Sequence, residues 1–152
     1  MPFRRATSAD IALVTALTHA AYTPWIAVIQ REPLPMQTDY AEAIQTHRID
    51  IFDHPDPVAL IEMIPHDDHL WLENVAVHPD HQGSGIGRHL ITHAEQVARS
   101  LGLPQIRLLT NAAFTRNLRF YAAQGFAQTH LEPFKSGYTA YFTKHLCSIH
   151  RG

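Results

Sequence analysis

Gln82-Gly83-Ser84-Gly85-Ile86-Gly87 sets three glycines within five residues, immediately before a run whose apolar positions recur at helical spacing. Glycine lets the backbone approach a ligand closely and leaves its N–H groups unshielded. A helix start adds further unpaired N–H donors and the positive end of the dipole, so the natural guest is an anion such as a pyrophosphate. A Walker A loop would end in Gly-Lys-Ser/Thr, whereas Gly87 is followed by Arg88 and His89. A dinucleotide fingerprint reads GxGxxG, with an acid roughly 20 residues on. Here the spacing is GxGxG, and LPQIRLL at 103–109 offers no acid. The pattern that fits is Q/R-x-x-G-x-G/A, met by Gln82, Gly85 and Gly87. Taken alone, the loop could also be a plain glycine-rich turn.

The elements around it must be read before roles are assigned. PFRRAT at 2–7 is a short strand, and Ser8 is the expected N-cap of a helix carrying Ile11, Val14, Leu17, Thr18 and Ala21 up to Pro24. Residues 24–37 hold three prolines and read as an irregular connection; Thr38-Asp39-Tyr40 then opens a second helix ending near His47. IDIFD at 49–53, VALIEMI at 58–64 and LWLENVAVHP at 70–79 read as strands. A helix over 85–101 follows, with Ile86, Leu90, Ala94, Val97, Ala98 and Leu101 on its apolar face, closed by Gly102. QIRLLT at 105–110 is a buried-type strand, 115–124 a short helix, and 126–133 and 138–146 two last strands. The expectation is a mixed α/β (α+β) sheet of about seven strands with four helices, in one domain over 1–152. The strands flanking the glycine loop should pair in parallel.

Composition narrows the function classes. Of 152 residues, 45% are hydrophobic and 17% charged, as in ordinary folded chains, and the formal charge of -2 argues against a nucleic-acid partner. Cys147 is the single cysteine, which leaves no intramolecular disulfide and no CxxC motif. MPFRRATSAD lacks the apolar stretch of a secretory signal, and no 18 apolar residues run together, so a cytoplasmic protein without a membrane partner is expected. The 12 histidines equal the whole Lys+Arg complement. His89 and His93 share a helix face, and His66/His69 and His78/His81 form turn pairs, but no HExxH and no defensible third ligand accompany them. A metal is not expected, and the histidines read as scattered surface composition.

LENVAVHPDHQGSGIGRHLITHAEQVA followed by LLTNAAFTRNLRFYAAQGF, covering residues 70–126, resembles the GNAT superfamily of acetyl-CoA-dependent N-acetyltransferases. The resemblance implies a twisted sheet splayed open between the strands at 70–78 and 105–110, with the pantetheine arm of acetyl-CoA pairing with the backbone of Val75, Ala76 and Val77. It also places the pyrophosphate on N–H groups of Gly83, Ser84, Gly85, Ile86, Gly87 and Arg88, beside Gln82. Asn111, Asn117 and Tyr121 match family residues directed at coenzyme A, and Asn117 and Tyr121 are four apart on one helix face. Asn111 has a second reading as a strand terminator, Arg88 as a solvent-facing cation and Tyr121 as a packed aromatic. Phe120, Gly125 and Phe126 read as packing and cap residues.

Acyl transfer to a primary amine needs a base, an oxyanion donor and an acid for the thiolate. Glu73 is the candidate base, expected on one strand face with Val75 and Val77 and enclosed by Trp71, Leu72 and Val75. Its competing role is a solvent-facing or ion-paired strand residue. Tyr121 resembles the family's general acid, and a backbone N–H near Val75 is the expected oxyanion donor. The acceptor is expected to be a small-molecule or peptide amine. Tyr22, Trp25, Ile29, Met36, Asp39, Tyr40, Phe134, Tyr138 and Tyr141 are its candidate contacts, or else core and dimer contacts; a homodimer is left open. The competing function is a coenzyme-A-binding regulator without turnover.

Overall fold

The structure, a computed structural model, describes residues 2–146; Cys147 lies outside them. The strands are β1 (Phe3–Arg5), β2 (Arg48–Asp53), β3 (Pro57–Pro65), β4 (Leu70–Val77), β5 (Gln105–Asn111), β6 (Ala127–Phe134) and β7 (Gly137–His145). They form a seven-stranded sheet in the order β1-β2-β3-β4-β5-β7-β6. The helices are α1 (Ile11–Tyr22), the single turn α2 (Ile26–Ile29), α3 (Tyr40–Thr46), α4 (Ile86–Ser100) and α5 (Thr115–Ala123). β4 pairs with β5 in parallel, while β1–β2, β2–β3, β5–β7 and β6–β7 are antiparallel. The mixed α/β sheet and four longer helices are therefore as the sequence implies. Two compact units divide the chain, Met1–Ile64 with Glu73–Leu90, and Pro65–Leu72 with Ile91–Gly152.

In the N-terminal unit the first cap is Thr7, where Ser8 was expected. Thr7 Oγ1 accepts the Ala9 N–H at 3.4 Å and Asp10 Oδ2 accepts the Thr7 N–H at 2.9 Å. A capping box needs an acid three residues on, and Asp10 supplies it to Thr7, not to Ser8. Arg4 then bridges Asp10 (3.2 Å) and Asp53 (3.0 Å). α1 buries Val14, Leu17 and Ala21 against Tyr40, Ala43, Ile49, Ile51, Leu60 and Ala76. The helical stretch Ser8–Ile29 has a mean hydropathy of 1.4, long and apolar enough by composition to cross a membrane. Counting uninterrupted apolar runs missed it, because threonines and His19 interrupt the stretch; α1 buries Val14, Leu17, Thr18 and Ala21.

In the C-terminal unit the β4–β5 ladder holds Leu70–Ile106, Trp71–Arg107 and Leu72–Leu108. Leu101, expected on the apolar face of α4, is 49% exposed. The helix stops at Ser100, Gly102 takes φ +72, and the Leu103 N–H reaches back to the Ala98 carbonyl at 2.9 Å. Leu103 thereby takes the buried place.

Candidate active site

The glycine loop belongs to the N-terminal unit and is fixed at both ends. His78 Nδ1 accepts the Asp80 N–H (3.1 Å) and Gln82 Nε2 donates to the Val77 carbonyl (3.1 Å), so the loop is tied to the end of β4. Ser84 Oγ donates to the His81 carbonyl. Gly83 and Gly85 take φ +83 and +88 on either side of Ser84. Left-handed residues alternating with ordinary ones turn successive N–H groups toward one side and make an anion-binding nest. Nothing lies within 4 Å of a Cβ added at Gly83, so conformation, not space, requires the glycine there. Ile86 is buried and anchors the first turn of α4, Gly87 is half-buried, and the exposed Arg88 reaches back until its guanidinium lies 3.6 Å from where a Gly85 Cβ would sit. An alanine at either left-handed position costs about 1–2 kcal/mol, or roughly a factor of ten in an equilibrium. Gly83→Ala and Gly85→Ala should therefore each weaken acetyl-CoA binding about tenfold by calorimetry. Unchanged affinity in both would remove the loop from the cofactor site.

Burial along β4 alternates: Leu70, Leu72, Asn74 and Ala76 are buried, whereas Trp71, Val75 and Val77 are half-buried and Glu73 is exposed. Glu73 is thus not enclosed by its apolar sequence neighbours, contrary to expectation. This unit buries two carboxylates, Asp50, paired with Arg48 at 3.1 Å, and Glu62 on β3, 1% exposed, with His47 Nδ1 at 2.7 Å from Oε2 and Oε1 without a protein partner. Burial pushes the Glu62 pKa up, the His47 hydrogen bond opposes the rise, and the charge of Glu73 adds to it. Glu62 was missed by sequence reading; its signal was a lone acid within VALIEMI.

Asn74, also missed, is 3% exposed and joins two helices to the strand. Its Nδ2 donates to Thr18 Oγ1 and to Tyr40 Oη, both at 3.1 Å; its Oδ1 accepts the Tyr22 hydroxyl at 3.0 Å. The Tyr22 hydroxyl also lies 3.4 Å from the Val75 carbonyl, one of the expected pantetheine positions. Asn74→Ala leaves three polar groups without this partner, at about 1–3 kcal/mol for each that stays buried and unsatisfied. A fall of several degrees in Tm is expected by calorimetry, and a Tm unchanged within error would show that the network carries no stability.

Several acceptor candidates prove structural. Asp39 caps α3, its Oδ1 accepting the Ala41 N–H at 3.0 Å, instead of forming a cation cage. Met36 and Tyr40 belong to the core, and burial pushes the Tyr40 phenol up to about 12. Tyr22, Trp25 and Ile29 are half-buried, and Phe134 and Tyr138 exposed. Tyr141 donates to Glu132 Oε1 at 3.2 Å and stacks on His130 with ring centroids 4.2 Å apart. His89 stacks on Phe52, and among the described residues no group of three His, Cys, Asp or Glu side chains is placed to hold a metal.

The C-terminal unit carries the second set. Asn111 ends β5, and its Oδ1 accepts the Ala113 N–H at 2.9 Å, so it does terminate the strand with a turn. Asn117 Nδ2 donates to Thr110 Oγ1 at 3.4 Å, bringing the start of α5 to the end of β5. Tyr121 is 8% exposed; its ring meets Phe120, Phe126 and Phe142 with centroids 5.2, 5.6 and 6.0 Å away. Burial alone pushes its phenol well above the ordinary value, so the group is a proton donor throughout the neutral range.

The acetyltransferase (GNAT) family matches residues 14–126. The chain belongs to this family. Among GNAT relatives, the amino-acid acetyltransferase of Serratia proteamaculans (strain 568) is 29% identical over 130 residues, which are 85% of this chain and 27% of that protein. The chain thus spans about a quarter of the length of such relatives. Two solved GNAT structures share the fold. The PaiA N-acetyltransferase of Thermoplasma acidophilum, in complex with coenzyme A, superposes with a TM-score of 0.79 at 16% identity, covering 95% of this chain and 98% of that one. The ribosomal-protein-S18-alanine N-acetyltransferase of Escherichia coli gives 0.77 at 16% identity, covering 97% and 95%.

Proposed function

We propose that this chain moves the acetyl group of acetyl-CoA directly to a primary amine within a ternary complex. The observation that carries this reading is the left-handed pair Gly83 and Gly85 on either side of Ser84, a nest suited to a pyrophosphate. Val75, Ala76 and Val77 offer strand backbone to the pantetheine, and Arg88 offers a cation beside the nest. Asn111 and Asn117 contribute from the C-terminal unit, where Asn111 keeps its amide N–H₂ for the ligand while its oxygen holds the turn.

The acceptor ammonium, of pKa about 8 for an α-amino group and about 10.4 for a lysine-like amine, must first lose a proton, which Glu73 takes directly or through water. Its exposure is consistent with that role, since an acceptor must reach it. The nitrogen lone pair attacks the acetyl carbonyl carbon, and the N–H of a residue near Val75 stabilises the oxyanion. The C–S bond then breaks, the thiolate takes the Tyr121 proton, and the amide nitrogen loses its second proton. One proton per turnover reaches solvent, and Tyr121 is reprotonated from water.

The relatives named above for amino acids and for a protein alanine support an α-amino group as acceptor. A panel of free amino acids and short peptides, incubated with acetyl-CoA and read by mass spectrometry, tests this. Acetylated product on at least one α-amine is expected; coenzyme A release without any acetylated amine would overturn it.

A further inference from the structure

The C-terminal unit holds a cavity of about 540 Å³ that the acetyl-transfer chemistry does not use. His69, Trp71, Arg107, His130, Tyr141 and His145 line it, and none of its lining residues is acidic. Strand register brings them together: Trp71 lies opposite Arg107, Gln105 opposite His145, and Tyr141 opposite His130. Cross-strand neighbours point to the same face with Cβ atoms about 5 Å apart. The histidine excess is therefore not merely scattered composition, since three of the twelve converge here and His66 stacks on His69 at 4.7 Å.

The polar groups are already oriented. Gln105 Oε1 accepts from Arg107 Nε (2.9 Å) and from one terminal nitrogen (2.7 Å), fixing the guanidinium plane, and Gln105 Nε2 faces His145 Nδ1 at 3.4 Å. That contact leaves the His145 proton on Nε2. Asp68 Oδ1 takes the His69 Nδ1 proton at 2.7 Å, and its Oδ2 lies 3.5 Å from Arg107. Glu132 faces His130 Nε2 and the Tyr141 hydroxyl, each at 3.2 Å. Lys144, the remaining cation of β7, is turned to Glu95 and the Gln124 carbonyl.

We propose that this cavity binds a small organic carboxylate with a flat apolar body. Gln105 and Asp68 hold Nε and one terminal nitrogen of Arg107, which leaves the other terminal nitrogen to donate to a carboxylate, and Trp71 with the stacked Tyr141 and His130 offers flat apolar surface. Arg107 stands four residues before Asn111, about 13 Å along the strand, so the site is separate from the β5 end assigned to coenzyme A. The proposal does not depend on the acetyl-transfer reading.

Benzoate titrated by calorimetry into the full chain tests it, with benzyl alcohol as the neutral counterpart. Benzoate should bind at least about tenfold more tightly than benzyl alcohol, which lacks the charge that the guanidinium pairs with. Arg107→Gln should weaken it about tenfold, the usual scale of one charged hydrogen-bonded pair. The same variant should keep the wild-type affinity for acetyl-CoA, which shows that it is folded; His145→Gln supplies a second, milder loss. No binding of benzoate, equal binding of benzyl alcohol, or full affinity in Arg107→Gln would each overturn the proposal.

Discussion

Tyr121→Phe should lower kcat about 100-fold or more, the usual contribution of a positioned general acid, while acetyl-CoA affinity changes little. The substitution removes one oxygen and nothing else. Phe120, Phe126 and Phe142 hold the ring, and phenylalanine fills the same space. Burial pushes the phenol pKa up, so the wild-type group is protonated at neutral pH, as the proposed acid must be. Steady-state kinetics paired with calorimetric binding separate the two effects. If kcat stays at the wild-type level, Tyr121 is a packing residue only.

Glu73→Gln should lower kcat/KM at neutral pH by about 100-fold, with a deficit that shrinks as pH rises. Without a base only the unprotonated amine reacts, and that fraction grows about tenfold per pH unit up to the amine's pKa, near about 8 for an α-amino group. The exposure of Glu73 means that the change costs little stability, so activity is the informative readout. A variant whose pH profile simply parallels the wild type at lower height would deny Glu73 the proton and leave it a positioning role.

The order of the strands and helices was legible because periodicity and glycine placement are local signals. Gly83, Gly85 and Gly102 mark backbone turns that other side chains resist, and the structure places each at positive φ. The cap at Thr7 was misread because the deciding residue, Asp10, sits three positions further on. Leu101 looked like part of α4 because its spacing fits, yet Gly102 turns the chain before it can face inward. Partners distant in sequence were not legible at all. Asn74 meets Thr18, Tyr22 and Tyr40 from 56, 52 and 34 residues away, and Glu62 meets His47 from the next strand's approach. Met36, Asp39 and Tyr40 were read as acceptor contacts or else core contacts, and the structure gives Met36 and Tyr40 to the core and Asp39 to a helix cap. The gathering of His69, His130 and His145 depends on strand register, which composition does not reveal.

Initial velocities with acetyl-CoA and an accepted amine varied together test the central claim most directly. Coenzyme A release that depends on both substrates, with reciprocal plots that intersect, is the result expected of direct attack in a ternary complex. Parallel lines, which report an acetylated enzyme intermediate, or release independent of the amine, would contradict it.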